Sequence, residues 1–447
     1  MYQYILWYVV TQYSFTGTTA REIAASVERA VTEGGLGPGS ALPPVRRLAD
    51  DLGVSPGTVA TAYKELRQRG IVVTRGRGGT VVAHVPAVGS RRPPRVPQGV
   101  VDLAGGYPDP AFLPVLAPPA EVAPVQGSHR GSPRLPALEE LSRAWFERDG
   151  VPADALTFSH GALDCISRLL ATELKPGDSV AVEDPGFHHL LDLVPALGLR
   201  MLPVAVDDEG IRPQELARAL RAGARALVCS PRGQSPTGAR FTAGRRAELL
   251  AVLAGFPEVL VIEDDHNADI AGVPLHALVT GGLPRWAQIR TASKSLGIDL
   301  RWAAVACDPT TLARHDGRLL LTSGWVSHVL QETAARLLAD ATAQVLIAGA
   351  GRAYTARREA LIGALARYGI AAHGRSGLNV WVPVRDESAV VNGLRTHGWW
   401  VAAGQRFRIE GAPAVRITSA LLPEADAVRL AADFAGVLGD SEATYGG

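Results

Sequence analysis

The stretch TASKSLGIDLR, residues 291–301, places a lysine and an arginine where they could do chemistry. Lys294 lies between two serines after an apolar run that predicts a strand, and Arg301 follows seven residues later. A lysine amine held at a fixed point can form an imine with an aldehyde. The planar fork of an arginine suits a phosphate group. A lone lysine between serines is usually a surface residue, so this interpretation depends on the rest of the chain.

Three upstream segments could hold an aldehyde cofactor next to that amine. In SHGALDCISRLL, Gly161 and Ala162 stand at a predicted strand-to-helix junction, where free amides can bind phosphate. Phe187 follows a predicted strand in VEDPGFHH and could stack on a flat ring. Asp264 ends the apolar run VIEDD and could pair with a protonated ring nitrogen. His266, two residues later, could donate to a phenolate oxygen.

Each segment also has a structural interpretation. Gly161 could form a simple turn, Phe187 could be a core residue, and EDD could be a metal-binding loop or a helix cap. The segments occur in order, each at the end of a predicted strand, where ligands of α/β proteins bind. This joint occurrence favours one shared site, in which Thr291 and Arg301 complete the phosphate grip. No metal site is predicted.

The first hundred residues have a different composition. Residues 17–100 carry 12 Lys/Arg against 6 Asp/Glu, whereas the rest of the chain carries 33 against 38. A basic segment on a mildly acidic body predicts a polyanionic partner. The apolar start, residues 1–15, is too short to span a membrane, so no membrane partner is expected. Three widely spaced cysteines do not indicate a disulfide framework and fit a reducing cytoplasm.

Within the basic segment, the pattern predicts a winged helix-turn-helix. A helix after Pro44 stops near Gly53, and Ser55 then caps a second helix with Pro56 at its first position. IVVTRGRGGTVVA predicts two strands around an Arg-Gly turn, which would form the wing. Hydroxyls and cations around such a helix can contact phosphates and bases. The predicted DNA-binding residues are Arg46, Ser55, Thr58, Lys64, Arg75 and Arg77.

Beyond this head, apolar strand-like runs alternate with helical segments, which predicts an α/β body with a mostly parallel sheet. The predicted domains are an extension (1–15), the winged helix-turn-helix (16–84), a Pro- and Arg-rich linker (85–100) and the body (101–447). The end of the body, about 340–440, is predicted to be a small α+β lobe.

Two resemblances follow from these motifs. LGPGSALPPVRRLADDLGVSPGTVATAYKELRQRGIV resembles the DNA-binding domain of GntR-type regulators, with Pro56 where that family often has arginine. Residues from about 101 to 438 resemble the fold-type I aminotransferases that use pyridoxal 5′-phosphate (PLP). The second resemblance implies that Lys294 is the Schiff-base lysine and that Arg416 binds a ligand carboxylate. It further implies cofactor contacts from Gly161, Ala162, Phe187, Ser235, Asp264, His266, Thr291 and Arg301.

The chain departs from the aminotransferase pattern at four positions. Ser235 stands where asparagine is common, His266 where tyrosine is usual, and His160 where serine often precedes the phosphate-binding glycine. Gln126 stands near the position of a tyrosine that a neighbouring subunit usually lends. The prediction is therefore a retained cofactor grip in an altered catalytic environment.

A GntR-type head on an aminotransferase-like body resembles the MocR/GabR-type transcriptional regulators. This resemblance implies a cytoplasmic homodimer that binds a double-stranded DNA operator, with PLP as a bound effector. It also implies that a small amino compound or amino acid is sensed by imine exchange at Lys294, its carboxylate held by Arg416. Two alternatives remain open: an active aminotransferase with an accessory DNA-binding domain, and a regulator whose body does not bind PLP.

Overall fold

The computed structural model describes residues 15–32, 35–37, 39–68, 71–74, 79–82, 96–115 and 132–445. These residues divide into two compact units, one formed mostly by the N-terminal head and the other by the body. Among the described residues, none of the helices combines the length and apolar character needed to cross a bilayer.

In its described residues, the head forms three helices and a two-stranded antiparallel sheet. The elements are α1 (Ala20–Thr32), α2 (Val45–Leu52), α3 (Pro56–Gln68), β1 (Val72–Thr74) and β2 (Thr80–Val82). Gly53 ends α2 with a left-handed backbone (φ 66°), a conformation that glycine adopts without steric cost. The helices enclose a small apolar core that includes Ile23, Val27, Leu48, Ala49, Val59, Ala62, Tyr63 and Leu66. The predicted winged helix-turn-helix is confirmed.

The body is built on an eight-stranded sheet with the order β4-β11-β10-β9-β8-β5-β6-β7. The strands are β4 (Leu156–Ser159), β5 (Ser179–Asp184), β6 (Arg200–Asp207), β7 (Gly210–Ile211), β8 (Ala224–Cys229), β9 (Leu260–Asp264), β10 (Trp286–Thr291) and β11 (Ala303–Cys307). The five strands from β10 to β6 run parallel, whereas β11 is antiparallel to both of its neighbours. The prediction of a mostly parallel sheet is confirmed.

Helices of the large lobe connect and cover these strands. They are α4 (Pro136–Glu147), α5 (Ala162–Glu173), α6 (His188–Ala196), α7 (Pro213–Arg221), α8 (Ala243–Leu253), α9 (Pro309–Leu320) and α10 (His328–Ala339). The central strands β5, β9 and β10 are buried along their whole length. Because β9 and β10 are parallel neighbours, Asp264 and the turn that carries Lys294 lie at the same edge of the sheet.

The rest of the body forms a smaller α+β lobe. It contains α11 (Ala341–Ala366), β12 (Asn379–Pro383), α12 (Glu387–Thr396), β13 (Trp399–Trp400), β14 (Ala402–Ala403), β15 (Ala414–Thr418) and α13 (Glu424–Tyr445). Strands β12, β15 and β14 form an antiparallel sheet. The short strand β3 (Val101–Asp102) pairs in parallel with β13. The first residues of the body thereby pair with a strand near the end of the chain.

Candidate functional site

Lys294 lies in the turn after β10, and its side chain is half-buried. The Nζ donates a hydrogen bond to the carbonyl oxygen of Gly106 at 2.5 Å and lies 5.8 Å from the centre of the Tyr107 ring. Burial lowers the pKa of Lys294 to about 8; the Arg416 guanidinium adds to this effect and the Asp264 carboxylate opposes it. An appreciable fraction of the amine is therefore unprotonated, and thus nucleophilic, near neutral pH.

Asp264 ends β9 and exposes only 7% of its surface. Its Oδ1 is buried and has no hydrogen-bond partner among the described residues, and its Oδ2 lies 3.5 Å from Nδ1 of His266. Burial lowers the pKa of His266, but the Asp264 carboxylate outweighs this effect, so the net pKa is raised. A buried carboxylate oxygen without a partner costs free energy. It fits a ligand that brings its own proton donor, such as a protonated ring nitrogen.

Gly161 and Arg301 lie together at the start of α5. Gly161 has φ 96°, and a Cβ at this position would lie 2.8 Å from Nη2 of Arg301. The same Nη2 is 3.4 Å from the carbonyl oxygen of His160, and Arg301 itself has a left-handed backbone with φ 42°. Thr291 Oγ1 lies 2.8 Å from Ser293 Oγ. A helix N-terminus next to a guanidinium is suited to an anion such as a phosphate.

Arg416 lies on β15 in the small lobe and is 4% exposed. Its Nη2 donates to the carbonyl oxygen of Ala104, and its Cζ lies 4.5 Å from the centre of the Phe407 ring. Its Nε is buried without a hydrogen-bond partner among the described residues. Burial lowers the pKa of Arg416 to about 10, so the side chain remains a cation at neutral pH. A carboxylate would match this guanidinium.

Three other predicted residues have less direct connections to the lysine. Phe187 is half-buried, and its ring meets those of His188 and His189 edge-on at 5.3 and 5.4 Å. Ser235 is buried, at 7% exposure, in the loop after β8, and Ala162 is the first residue of α5. Their contacts do not test whether they touch a cofactor, so these assignments stay predictions.

Residues 104–106 contact both Lys294 and Arg416, and the sequence did not indicate this segment. Ala104 and Gly106 supply the carbonyl oxygens, and the Gly106 amide donates to Thr418 Oγ1 at 3.1 Å. The available signal was the glycine pair in LAGGYPDP, which follows the short apolar stretch VVDL. A glycine pair at such a place is common enough in ordinary turns that it did not single out this segment.

The structure describes four of the six candidate DNA-binding residues of the head. Ser55 Oγ accepts from the Thr58 amide at 3.1 Å, which confirms Ser55 as the N-cap of α3. Arg46 and Lys64 are exposed, as residues that contact a backbone phosphate must be. Arg75 and Arg77 lie outside the described residues, as does Gln126.

Two family models match this chain. Residues 19–82 match "Bacterial regulatory proteins, gntR family", and residues 127–434 match "Aminotransferase class I and II". The first covers the winged helix-turn-helix, and the second covers most of the body, including the lysine and both arginines of the site.

Among curated proteins, the chain is 40% identical to the "Vitamin B6 salvage pathway transcriptional repressor PtsJ" of Salmonella typhimurium, over 93% of this chain and 98% of that protein. It is 29% identical to the "HTH-type pyridoxine biosynthesis transcriptional regulator PdxR" of Corynebacterium glutamicum, over 75% and 74% of the two chains. Among solved structures, a Pyrococcus horikoshii kynurenine aminotransferase matches with TM-score 0.69 and 19% identity, over 77% of this chain and 91% of that one. At that identity the structural match shows the fold alone.

Proposed function

Because the chain belongs to the regulators that join a GntR-type helix-turn-helix to an aminotransferase class I and II domain, we propose that its body senses a small amino compound through PLP held at Lys294. The chain is a DNA-binding transcriptional regulator, and PLP is its cofactor. The named roles of PtsJ and PdxR both concern vitamin B6, which supports a B6-related ligand for this chain as well.

The observation that carries this proposal is the pairing of a half-buried amine of lowered pKa with a buried carboxylate oxygen that has no hydrogen-bond partner within the described part of the chain. When bound, PLP supplies an aldehyde carbon and an electron-withdrawing ring. Lys294 supplies the amine for the aldehyde, and Asp264 keeps a proton on the ring nitrogen. The residues that would hold the remainder of the cofactor are Gly161, Ala162, Thr291 and Arg301 at the phosphate, Phe187 at the ring face, and Ser235 and His266 at the ring oxygen.

Arg416 would bind the carboxylate of the amino compound. Its guanidinium lies close enough to Lys294 to lower the pKa of that amine, so a ligand whose amine replaces Lys294 at the aldehyde could place its carboxylate on Arg416. A ligand changes the affinity of the head for DNA only if it binds the conformations of the protein unequally. The small lobe, which carries Arg416, is the part expected to differ between those conformations.

We propose a homodimer as the DNA-binding form. Four apolar side chains near the end of α9 and the start of α10 are unusually exposed: Leu320 at 64%, Leu321 at 81%, Trp325 at 41% and Val329 at 44%. Such a group is expected to be covered by a second copy of the chain. Leu321→Asp should therefore shift the mass measured by light scattering from dimer to monomer, whereas Val428→Asp on α13, also exposed at 51%, should not. Since DNA lies in the cytoplasm of a bacterium, that is the compartment we propose.

The lysine content of the chain permits a direct test of the cofactor site. The chain contains three lysines, Lys64, Lys175 and Lys294. Incubation with PLP, reduction with borohydride and peptide mass spectrometry should place the adduct on Lys294. Labelling of Lys64 or Lys175 instead, or an undiminished adduct in Lys294→Ala, would contradict the assignment.

Regulation is tested by DNA binding. Fluorescence anisotropy with the protein's own upstream region, with and without PLP and candidate amino acids, should show a ligand-dependent affinity in the wild type that Lys294→Ala lacks. The alternative of an active aminotransferase is favoured by the presence of both Lys294 and Arg416. Steady conversion of an amino acid and a keto acid, without an effect on DNA affinity, would support that alternative.

A further inference from the structure

The segment Ala104–Pro108, here called the strap, is fixed at both ends. Before it, Leu103 is fully buried; its amide donates to Trp400 O at 2.8 Å and its carbonyl accepts from the Thr418 amide at 2.7 Å. After it, the Asp109 amide donates to the Tyr354 hydroxyl at 2.9 Å, and the Asp109 carboxylate accepts from Arg357 at 2.9 Å. The two flanking residues are therefore held in place, and the strap is the stretch between them.

The middle of the strap contacts both cations of the candidate site. The carbonyl of Ala104 accepts from Arg416, and the carbonyl of Gly106 accepts from Lys294. The Gly106 amide is held in turn by the hydroxyl of Thr418. Gly106 has φ 69°, and a Cβ there would lie 3.3 Å from both Nη atoms of Arg416, so a residue without a side chain is needed at this point.

We propose that the strap is an internal ligand of the cofactor and effector site. Its two carbonyl oxygens occupy the amine that the aldehyde needs and the guanidinium that the effector carboxylate needs, so neither ligand binds fully until the strap moves. This inference rests on the proposed function of the site. A carboxylate or an aldehyde binds these groups more strongly than a peptide carbonyl does, so displacement is favourable when the ligand is present.

The strap lies close to the head in chain order, so its displacement bears on the DNA-binding head. The strap follows directly on β3, which is the first element of the body after the head in chain order. A segment whose position depends on ligand is thus joined by the chain to the DNA-binding head. The apparent affinity for ligand is the affinity of the open site multiplied by the fraction of molecules in which the site is open. A closed strap therefore lowers the apparent affinity.

Thr418→Val tests the proposal, because valine has the shape of threonine but cannot accept from the Gly106 amide. Loss of one hydrogen bond from the closed strap should tighten ligand binding about three- to tenfold. The probes are PLP, followed by absorbance, and the non-reactive compound N-(5′-phosphopyridoxyl)-L-alanine, followed by calorimetry. Thr418→Ser keeps the hydroxyl and should bind like the wild type. Thr396→Val, on α12, removes an exposed hydroxyl that donates to Gly393 O and serves as a control for the same substitution away from the site.

The direction of the effect separates this proposal from simple structural damage, which would weaken binding. Hydrogen exchange provides a second readout: amides of residues 104–107 should exchange faster once N-(5′-phosphopyridoxyl)-L-alanine is bound, whereas those of Leu103 and Asp109 should not change. Unchanged or weaker binding by Thr418→Val, or unchanged exchange on saturation, would overturn the strap proposal while leaving the cofactor site in place. If neither probe binds the wild type, the proposed function itself fails, and the strap proposal with it.

Discussion

Asp264 and Asp265 are neighbours in sequence, yet their carboxylates lie in opposite environments. Asp265 is fully buried and accepts from Arg232 at 2.8 and 2.9 Å and from Arg290 at 3.0 Å. The Asp149 carboxylate also accepts hydrogen bonds from both arginines. Asp264 is also buried, but one of its oxygens lacks a partner among the described residues.

The two environments show how buried charge is used in this body. In the Asp265 cluster, two arginines match two aspartates. Burial raises the pKa of Asp265, but both guanidinium groups outweigh it and lower the net value. Arg290 is also packed over the rings of Trp145 and Phe146, at 5.6 and 5.0 Å. Within the described residues, the carboxylate of Asp265 has its hydrogen-bond partners without a ligand, whereas one oxygen of Asp264 has none. We therefore assign the Asp265 cluster to stabilising the fold and Asp264 to ligand binding.

The largest effect is expected for Lys294→Ala, which should abolish the reducible PLP adduct completely. The fold should be unaffected, because the variant removes an amine whose burial is unfavourable for its charged form. The free energy of unfolding in urea should stay within about 1 kcal/mol of the wild type, the usual range for a change outside the core. Lys175→Ala is the control and should keep the adduct. Loss of both the adduct and the fold would show that the lysine belongs to the structural cluster.

Asp265→Asn should destabilise the fold by about 3–5 kcal/mol, because it leaves Arg232 and Arg290 with an uncompensated buried charge. Urea denaturation followed by tryptophan fluorescence measures this difference. The neighbouring change Asp264→Asn is the matched control, and its unfolding free energy should differ by about 1 kcal/mol or less. Equal losses in both variants would remove the distinction between the two carboxylates.

Asp264→Asn should instead weaken PLP binding about 10- to 100-fold, since a hydrogen bond to a charged group contributes about 1.5–3 kcal/mol. The measurement is a PLP titration followed by absorbance, with Asp192→Asn on the surface helix α6 as the control. An unchanged dissociation constant would mean that the unpartnered oxygen does not face the ring nitrogen.

The smallest predicted effect concerns pH. Because the Lys294 pKa is lowered to about 8, the unprotonated fraction of the amine should rise about tenfold between pH 7 and pH 9 and then level off. The rate of adduct formation, followed by stopped-flow absorbance, should follow this curve. A lysine with an ordinary pKa near 10.5 would still be gaining about tenfold per unit at pH 9. Such a profile would contradict the lowered value.

The sequence predicted that several candidate site residues stand at the ends of strands, and the structure places them there. Lys294, Asp264 and Gly161 each stand just after an apolar run, and a parallel sheet brings such positions to one edge. The head was predictable because its helix caps and turns depend on residues that are close together in the sequence. The sequence could not indicate contacts between segments that are far apart in the chain, because hydrophobic periodicity carries no information about such contacts. Lys294 meets Gly106 across 188 positions, and Arg416 meets Ala104 across 312.

The pairing of β4 with β11 also determines when the proposed phosphate-binding end of the site can form. Gly161 follows β4 and Arg301 precedes β11, so the contact between their segments joins residues 141 positions apart. A chain leaving the ribosome completes its head first, because N-terminal domains fold as they emerge. The proposed phosphate-binding end of the site cannot form until β11 has been synthesised. Each newly made molecule therefore passes through a stage in which its head has folded but the proposed phosphate-binding site does not yet exist.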